Sequence, residues 1–194
     1  MASILVIDAH PDPDPSRYCH ALSDSYAAGA QAGGHQVSRI ALSAMVLPAL
    51  LTREDWEHGS PTEPIRAVQA QIRAADHIVI VFPLWLGDMP AMLKAFFEQV
   101  LRPGFAFAYG EGGSLPRKLL GGKSARIVVT MGMPAFVYRW YFGAHSVRSL
   151  KRNILSFVGI KPVSVSIVGS VEAIGQPARQ KWLAEMERLG RAGK

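Results

Sequence analysis

The residues best suited to bind a flat ligand lie in a loop at 82–91 that is rich in Pro, Leu, Trp and Gly. The apolar run His77–Val81 precedes this loop, and a helical pattern, Pro90–Leu101, follows. That order predicts a buried strand whose carboxyl end carries the loop, and ligands of open parallel sheets bind at such ends. Apolar faces and backbone N–H groups suit a flat aromatic ligand better than a sugar or a metal ion. Core packing of Trp85 and Leu86 is the alternative.

A second loop, Ala9–His20, carries groups suited to a phosphate and leads into a predicted helix. A helix N-terminus presents free N–H groups and the positive end of the helix dipole to an anion. Ser16 can donate a hydroxyl hydrogen bond, and Arg17 a charge-assisted one. The loop matches neither a P-loop nor a GxGxxG turn, which argues against a nucleoside triphosphatase and a nicotinamide-binding Rossmann domain. A Pro-stiffened turn with Ser16 as helix cap is the alternative.

A third loop, Val129–Tyr138, offers polar groups and flexibility. Thr130 and neighbouring backbone N–H groups can bond the polar edge of a ligand, and Gly132 permits a positive φ or a close backbone approach. His145 lies seven residues after Tyr138, two turns along a predicted helix and therefore on the same face. A structural histidine is the alternative to a catalytic one.

Alternating strand and helix patterns position these loops. Strands are predicted at Ile4–Ile7, Gln36–Ala41, His77–Phe82, Ala125–Thr130 and Val163–Gly169, and helices at Arg17–Ala32, Pro64–Ala74, Pro90–Leu101, Tyr138–Leu155 and Pro177–Leu189. The alternation predicts an α/β fold, a flavodoxin-like three-layer sandwich with a five-stranded parallel sheet of order 2-1-3-4-5 and helices on both faces. We expect one domain over residues 1–194. Segments 42–60, a candidate lid or partner contact, and 103–123 have no clear element.

In such a sheet the loops after strands one, three and four open on one edge. One loop supplies a phosphate end, the next an apolar slot and the third a polar edge. Together they describe a site for flavin mononucleotide, FMN.

Composition excludes several classes of protein. The chain is 49% hydrophobic and 19% charged, as expected of a globular domain. No apolar run approaches the roughly 20 residues of a membrane span. The N-terminus has no basic leader, and the single Cys19 suits a reducing compartment, so we expect a cytoplasmic protein.

The net charge of +6 is unevenly distributed. Residues 1–110 hold 7 Lys/Arg and 11 Asp/Glu, net −4, whereas residues 111–194 hold 14 and 4, net +10. A basic half can attract phosphate-bearing cofactors, anionic lipid or nucleic acid, or can simply be a solvated surface. No motif of a nucleic-acid-binding module is present, so we expect no nucleic-acid partner.

Several motifs together resemble one family, the flavodoxin-like NAD(P)H:quinone oxidoreductases, which include potassium-efflux ancillary oxidoreductases and modulator-of-drug-activity proteins. The matching residues are Ala9-His10-Pro11 with Ser16 to Leu22, Phe82-Pro83-Leu84-Trp85 through Met89-Pro90-Ala91, Arg102-Pro103-Gly104-Phe105-Ala106-Phe107-Ala108-Tyr109, and Thr130-Met131-Gly132 followed by Tyr138. The similarity spans residues 4 to about 170.

The resemblance implies a noncovalently bound FMN, with FAD as the alternative, and NADH or NADPH as electron donor. It implies that cofactor-binding residues are His10, Ser16, Tyr18, Cys19, Pro83, Leu84, Trp85, Leu86, Thr130, Met131, Gly132 and Met133. Cys19 stands where many relatives have Asn. Phe107 and Tyr109 match substrate-covering positions, where the best-known members have Tyr in place of Phe107. The resemblance also implies a homodimer with the active site at the subunit interface.

The resemblance further implies a two-electron reduction of quinones by ping-pong hydride transfer through the flavin. Tyr138 and His145 are the candidate catalytic pair, although His145 lies one residue beyond the family position. A flavodoxin-type electron carrier is the alternative, but the high pI of 9.7 argues against it. A redox-active regulatory subunit of a membrane transporter is the third interpretation, with a peripheral membrane or transporter contact.

Overall fold

Five parallel strands form the central sheet of the protein, here described from a computed structural model over residues 1–110 and 115–194. They are β1 Ser3–Asp8, β2 Gln36–Ala41, β3 His77–Pro83, β6 Ser124–Thr130 and β7 Val163–Val168. Their spatial order is β2-β1-β3-β6-β7, which is 2-1-3-4-5 when only these strands are counted. The predicted topology is therefore confirmed.

Helices cover both faces of this sheet. They are α1 Tyr18–Ala32, α2 Arg53–Glu57, α3 Glu63–Ala74, α4 Ala91–Val100, α5 Ala135–Trp140, α6 His145–Ser149, α7 Ser156–Val158 and α8 Gln176–Arg191. Within the described residues, no helix is long and apolar enough to cross a membrane.

Alternation along each strand separates two hydrophobic clusters. On β1, Ile4 and Val6 pack with α1 and α8, whereas Leu5 and Ile7 face the cluster that contains α3 and α4. A period of two is what places successive side chains on opposite faces of a sheet. Because both faces are covered, the inner strands β1 and β3 are apolar almost throughout, as the sequence predicted, whereas the edge strand β2 carries Gln36, Ser38 and Arg39.

The predicted helix Tyr138–Leu155 is wrong as a single element. The chain leaves the helical path after α5, with Gly143 at φ 59° and Ala144 at φ 50°. It then continues through α6, a π-helical stretch Leu150–Leu155 and α7. Left-handed backbone cannot continue a right-handed helix, so residues before and after the break do not share one helix face.

The two segments predicted to lack clear elements contain short ones. Segment 42–60 includes a 3₁₀ turn, Leu42–Ala44, and α2, and it is bound by Arg102, which follows α4. The Arg102 guanidinium donates to the carbonyl oxygens of Asp55 at 2.9 Å and Gly59 at 2.8 Å. Segment 103–123 contains the antiparallel pair β4 Phe107–Ala108 and β5 Arg117–Lys118. Residues 111–114 of that segment lie outside the described residues.

Helices α1 and α8 cross with their backbones in direct contact. A Cβ added to Gly29 of α1 would lie 2.0 Å from the carbonyl oxygen of Glu187 in α8. A Cβ on Gly190 of α8 would lie 2.1 Å from the carbonyl oxygen of Tyr26. Glycine is therefore required on both sides of this crossing, because real Cβ atoms do not approach backbone so closely.

His77 is a buried titratable group at the first residue of β3. Its Nδ1 lies 2.7 Å from Ser124 Oγ. Its Nε2 has no hydrogen-bond partner among the described residues. Burial, together with the nearby positive charge of Arg126, lowers the pKa of His77 from 6.5 to about 4.

We expect His77 to make the protein less stable in acid. Below pH 6.5 the unfolded chain protonates His77 but the folded chain does not, so this contribution to stability is lost as the pH falls towards 4. At pH 5 the free energy of unfolding is expected to be about 2 kcal/mol lower than at pH 8 because of His77. Urea unfolding of wild type and His77→Gln at both pH values measures it.

The variant should lose correspondingly less stability between pH 8 and pH 5. His145→Gln, at an exposed position, is the matched control and should retain the wild-type loss. Equal losses for the wild type and His77→Gln would show that His77 does not carry the effect.

Candidate functional site

A cavity of about 510 Å³ opens at the carboxyl edge of the sheet, where the loops after β1, β3, β6 and β7 meet. Its lining includes most of the predicted cofactor-binding residues: His10, Ser16, Tyr18, Cys19, Pro83, Leu84, Trp85, Thr130, Met131 and Gly132. Leu86 and Met133 do not line it. The convergence of the three predicted loops therefore appears in the structure as one concave site.

One end of the cavity is the N-terminus of α1. Arg17 is the N-cap residue and makes no side-chain capping bond. Ser16 is thus not the cap; its N–H instead donates to Asp14 Oδ1 at 2.9 Å. Within the described residues, the N–H groups of Tyr18 and Cys19 donate to no protein acceptor. Free amides at a helix N-terminus, beside the Ser16 hydroxyl, form a donor set suited to a phosphate.

Tyr18 and Arg179 form the wall next to this end. The Tyr18 hydroxyl donates to the carbonyl oxygen of Arg179 at 2.7 Å, and the Arg179 guanidinium carbon lies 4.9 Å from the centre of the Tyr18 ring. Arg179 also donates to the carbonyl oxygen of Val171. Burial raises the pKa of the Tyr18 hydroxyl, so it remains protonated as a donor.

Cys19 is a packing residue whose thiol is unreactive. It is 2% exposed, and its Sγ lies 3.2 Å from Thr130 Oγ1. Burial raises the pKa of the thiol to about 12. A thiol with that pKa is protonated at neutral pH and is a poor nucleophile. Cys19 therefore offers the cavity its backbone amide rather than a thiolate.

The loop at 82–91 contains a tight turn. Trp85 N donates to Asp88 O at 2.8 Å, and Asp88 N donates to Trp85 O at 3.0 Å. The amide of Leu84 donates to Thr130 O at 2.7 Å and is not free for a ligand. Trp85 itself is 47% exposed and meets the His10 ring edge to face at 5.9 Å. Trp85 is thus a wall of the cavity, and core packing does not account for it.

Leu86 adopts an unfavourable backbone conformation within that turn. It has φ 49°, Gly87 has φ 78°, and the Leu86 side chain is fully exposed. Positive φ at both central residues is typical of a type I′ turn, for which Asn-Gly is the preferred pair. The left-handed region costs an L-residue such as leucine about 1–2 kcal/mol, and no packing offsets that cost here.

Leu86→Asn is expected to raise the free energy of unfolding by about 1 kcal/mol, because asparagine tolerates the left-handed region better. Thermal or urea unfolding of the apoprotein measures the change. Leu51→Asn, at another exposed leucine, is the control and should be neutral. A Leu86→Asn protein no more stable than the control would mean that the turn imposes no strain.

The loop after β6 forms the other end of the cavity. It is tied to the loop after β7, because Val171 N donates to Met131 O at 3.1 Å and Ser170 N to Met133 O at 2.9 Å. Gly132 adopts no positive φ, and a Cβ added to it would meet nothing closer than Glu172 Oε1 at 3.8 Å. Among the described residues, the amides of Gly132 and Met133 donate to no acceptor. These amides are available to the polar edge of a ligand.

The candidate catalytic pair lies away from the cavity lining. Tyr138 is buried, and its hydroxyl accepts a hydrogen bond from Val147 N at 3.3 Å. Burial raises the pKa of the Tyr138 hydroxyl. His145 is exposed at the start of α6, after the break at Gly143 and Ala144. The prediction that the two share one helix face is therefore wrong.

Phe107 and Tyr109 line a different cavity, of about 310 Å³. Phe107 is 5% exposed and packs against Trp56, Tyr109 and Phe157, with ring centres 5.1 to 6.4 Å apart. Tyr109 is 59% exposed. Neither residue reaches the cavity at the sheet edge within one subunit.

Sequence reasoning missed four residues that line the cavity at the sheet edge: Asp12, Val171, Glu172 and Arg179. Three of them belong to or follow the loop after the fifth strand of the sheet. That loop opens on the same edge as the other three, so the same topological rule could have found it. No sequence motif identifies this loop, because its residues line the cavity through their position at the sheet edge.

The doubly wound sheet and the cavity at its carboxyl edge define the flavodoxin-like class of α/β proteins. The family described as having a flavodoxin-like fold matches residues 2–189, and the chain belongs to that family.

Relatives within this family carry oxidoreductase names. An uncharacterised NAD(P)H oxidoreductase of Haemophilus influenzae is 28% identical over 183 residues, which are 92% of this chain and 89% of that protein. FMN-dependent NADH:quinone oxidoreductase 1 of Hahella chejuensis is 35% identical over 152 residues, 69% of this chain and 71% of that one.

A solved structure gives the same grouping. The NAD(P)H:quinone oxidoreductase from Methanothermobacter marburgensis is 25% identical, with a TM-score of 0.82 over 100% of this chain and 99% of that one. The resemblance drawn from the sequence motifs is confirmed, because the chain groups with flavodoxin-like NAD(P)H:quinone oxidoreductases.

Proposed function

We propose that the protein is an FMN-dependent NAD(P)H oxidoreductase that reduces quinones or similar acceptors by two electrons in a ping-pong cycle. One observation carries the proposal: a cavity at the carboxyl edge of the sheet has a phosphate-type donor set at one end and free amides at the other. The relationship to the FMN-dependent quinone oxidoreductase of Hahella chejuensis supports the same cofactor.

The residues present fit FMN. The free amides of Tyr18 and Cys19 and the Ser16 hydroxyl would hold the phosphate. The wall formed by Pro83, Leu84 and Trp85 would face the flat ring, and the loop 130–133 its polar edge. FAD is the alternative cofactor, and the mass of the extracted flavin separates the two.

Bound FMN would supply the two-electron chemistry, and the protein residues would orient and tune it. Trp85 and Leu84, which line the cavity, would orient the ring, and donor and acceptor would bind at the same place in turn. The unpaired amides of Gly132, in the cavity lining, and of the adjacent Met133 would be available as donors to the polar edge of the bound cofactor. The catalytic role of Tyr138 and His145 stays a prediction.

We also propose that the protein works as a homodimer. Four large side chains on and after α5 are highly exposed: Phe136, Trp140, Tyr141 and Phe142. Exposed apolar patches of this kind mark interaction surfaces. A second copy would cover this patch. Light scattering of the purified protein at micromolar concentration tests the assembly state.

The activity is tested with the purified protein reconstituted with FMN. We expect oxidation of NADH or NADPH that depends on both FMN and a quinone, with parallel double-reciprocal plots. Absence of such turnover from flavin-loaded protein would overturn the proposal. One-electron transfer to a protein acceptor without quinone turnover would instead favour a flavodoxin-type carrier. Co-purification with a membrane protein would favour a transporter subunit.

A further inference from the structure

Two histidines contact the backbone of Asp12 in the loop between β1 and α1, one at its N–H and the other at its carbonyl oxygen. His10 Nδ1 lies 3.1 Å from Asp12 N, whose hydrogen bond it accepts, and 3.2 Å from Asp12 O. Asp12 O faces His20 Nε2 at 3.0 Å. The two rings lie 5.4 Å apart, one from the loop and the other from the first turn of α1. The backbone at Asp12 is therefore fixed from both sides by imidazole nitrogens.

The second nitrogen of His20 is bound to β1. His20 Nδ1 lies 2.6 Å from Asp8 Oδ2, and Asp8 is only 7% exposed. A carboxylate and a peptide carbonyl have no proton to donate, so both nitrogens of His20 must carry one. His20 is thus an imidazolium that bridges the end of β1 and the loop.

The Asp12 side chain connects this fixed backbone to the N-terminus of α1, the end of the cavity proposed for the phosphate. Its carboxylate accepts from Asp14 N at 3.0 Å and from Arg17 Nε at 2.7 Å. Asp14 in turn accepts from Ser16 N. One chain of hydrogen bonds therefore runs from Asp8 through His20 and Asp12 to the residues at the N-terminus of α1.

We propose that His20, held by Asp8, is a positioning residue for the phosphate-binding loop, and that FMN affinity depends on its doubly protonated form. The inference rests on the proposed function. When His20 loses a proton, the strong bond to Asp8 retains Nδ1–H, and the Nε2 lone pair then faces the Asp12 carbonyl oxygen. Two acceptors at 3.0 Å repel each other, so the loop loses its fixed position.

The charges around His20 favour the imidazolium. Burial lowers its pKa, but the bonds to Asp8 and to Asp12 O, together with the carboxylates of Asp8 and Asp24, raise the pKa above 6.5. The neighbouring His10 has a lowered pKa, chiefly through burial, and so stays neutral above pH 6.5. The bridge is therefore complete below pH 6.5 and is lost as the pH rises through the pKa of His20.

Titration of the apoprotein with FMN from pH 7 to pH 9, followed by flavin fluorescence, tests the proposal. The phosphate, whose second pKa is about 6, is a dianion throughout this range. We expect the wild-type Kd to rise with pH. His20→Gln should bind about tenfold more weakly at pH 7, as loss of a charge-assisted bond predicts, and should show a flat profile.

Two further variants complete the experiment. Asp8→Asn removes the charge that keeps His20 protonated and should move the loss of affinity to lower pH. His35→Gln, near the opposite end of the sheet, should keep the wild-type profile. A wild-type Kd that is constant above pH 7, or a His20→Gln protein with wild-type affinity, would overturn the positioning role alone. A wild type that binds no FMN at any pH would overturn the proposed function as well.

Discussion

Gly132→Val is expected to raise the Kd for FMN about a hundredfold, or about 2.7 kcal/mol, while the apoprotein keeps its stability. Gly132 lies in the cavity lining, and its backbone is open to any L-residue because its φ is not positive. A Cβ there meets no protein atom within 3.8 Å. The added methyl groups would instead occupy space proposed for the flavin ring.

Fluorescence titration measures the affinity, and thermal unfolding of the apoprotein measures the stability. Gly121→Val is a matched control, because a Cβ at Gly121 also meets no atom within 4 Å and the residue does not line the cavity. The control should bind FMN as the wild type does. Unchanged affinity in Gly132→Val would place the flavin elsewhere.

Gly29→Ala is expected to lower the free energy of unfolding by about 3 kcal/mol. The new Cβ would lie 2.0 Å from the Glu187 carbonyl oxygen, so α1 and α8 must move apart. In an exposed helix the same change would stabilise by about 1 kcal/mol through helix propensity. The sign of the measured change therefore decides whether the backbone contact is present.

Urea unfolding at pH 7 gives this free energy. Ala28→Ser, one residue away on the exposed side of α1, is the control and should stay within about 0.5 kcal/mol of the wild type. A Gly29→Ala protein as stable as the wild type would show that the two helices do not meet at this glycine.

Local patterns in the sequence were enough to predict the order of the strands in the sheet and most of the residues that line the cavity. Runs such as His77–Val81 are apolar because both faces of the sheet are covered, and topology then places the loops after successive strands on one edge. That reasoning needs only the order of elements. It therefore located Trp85 and Thr130 without any knowledge of side-chain contacts.

Other features depend on tertiary contacts that local patterns do not encode. Ala144 has a high helix propensity, yet it lies at φ 50°, and so the break between α5 and α6 was missed. Arg179 is held at the cavity by contacts with Tyr18 and Val171, and Tyr18 is 161 residues away from it in the chain. The bridge made by His20 likewise becomes visible only when β1, the loop and α1 are placed together.

The crossing of α1 and α8 also has a consequence for ligand binding. Gly29 lies 11 residues from Tyr18, or about 16 Å along a straight helix. Because α1 is one continuous helix, the crossing at Gly29 fixes the orientation of the whole helix, including the amides at its N-terminus that we propose bind the phosphate. A buried glycine that does not line the cavity therefore contributes to the geometry of the proposed phosphate site.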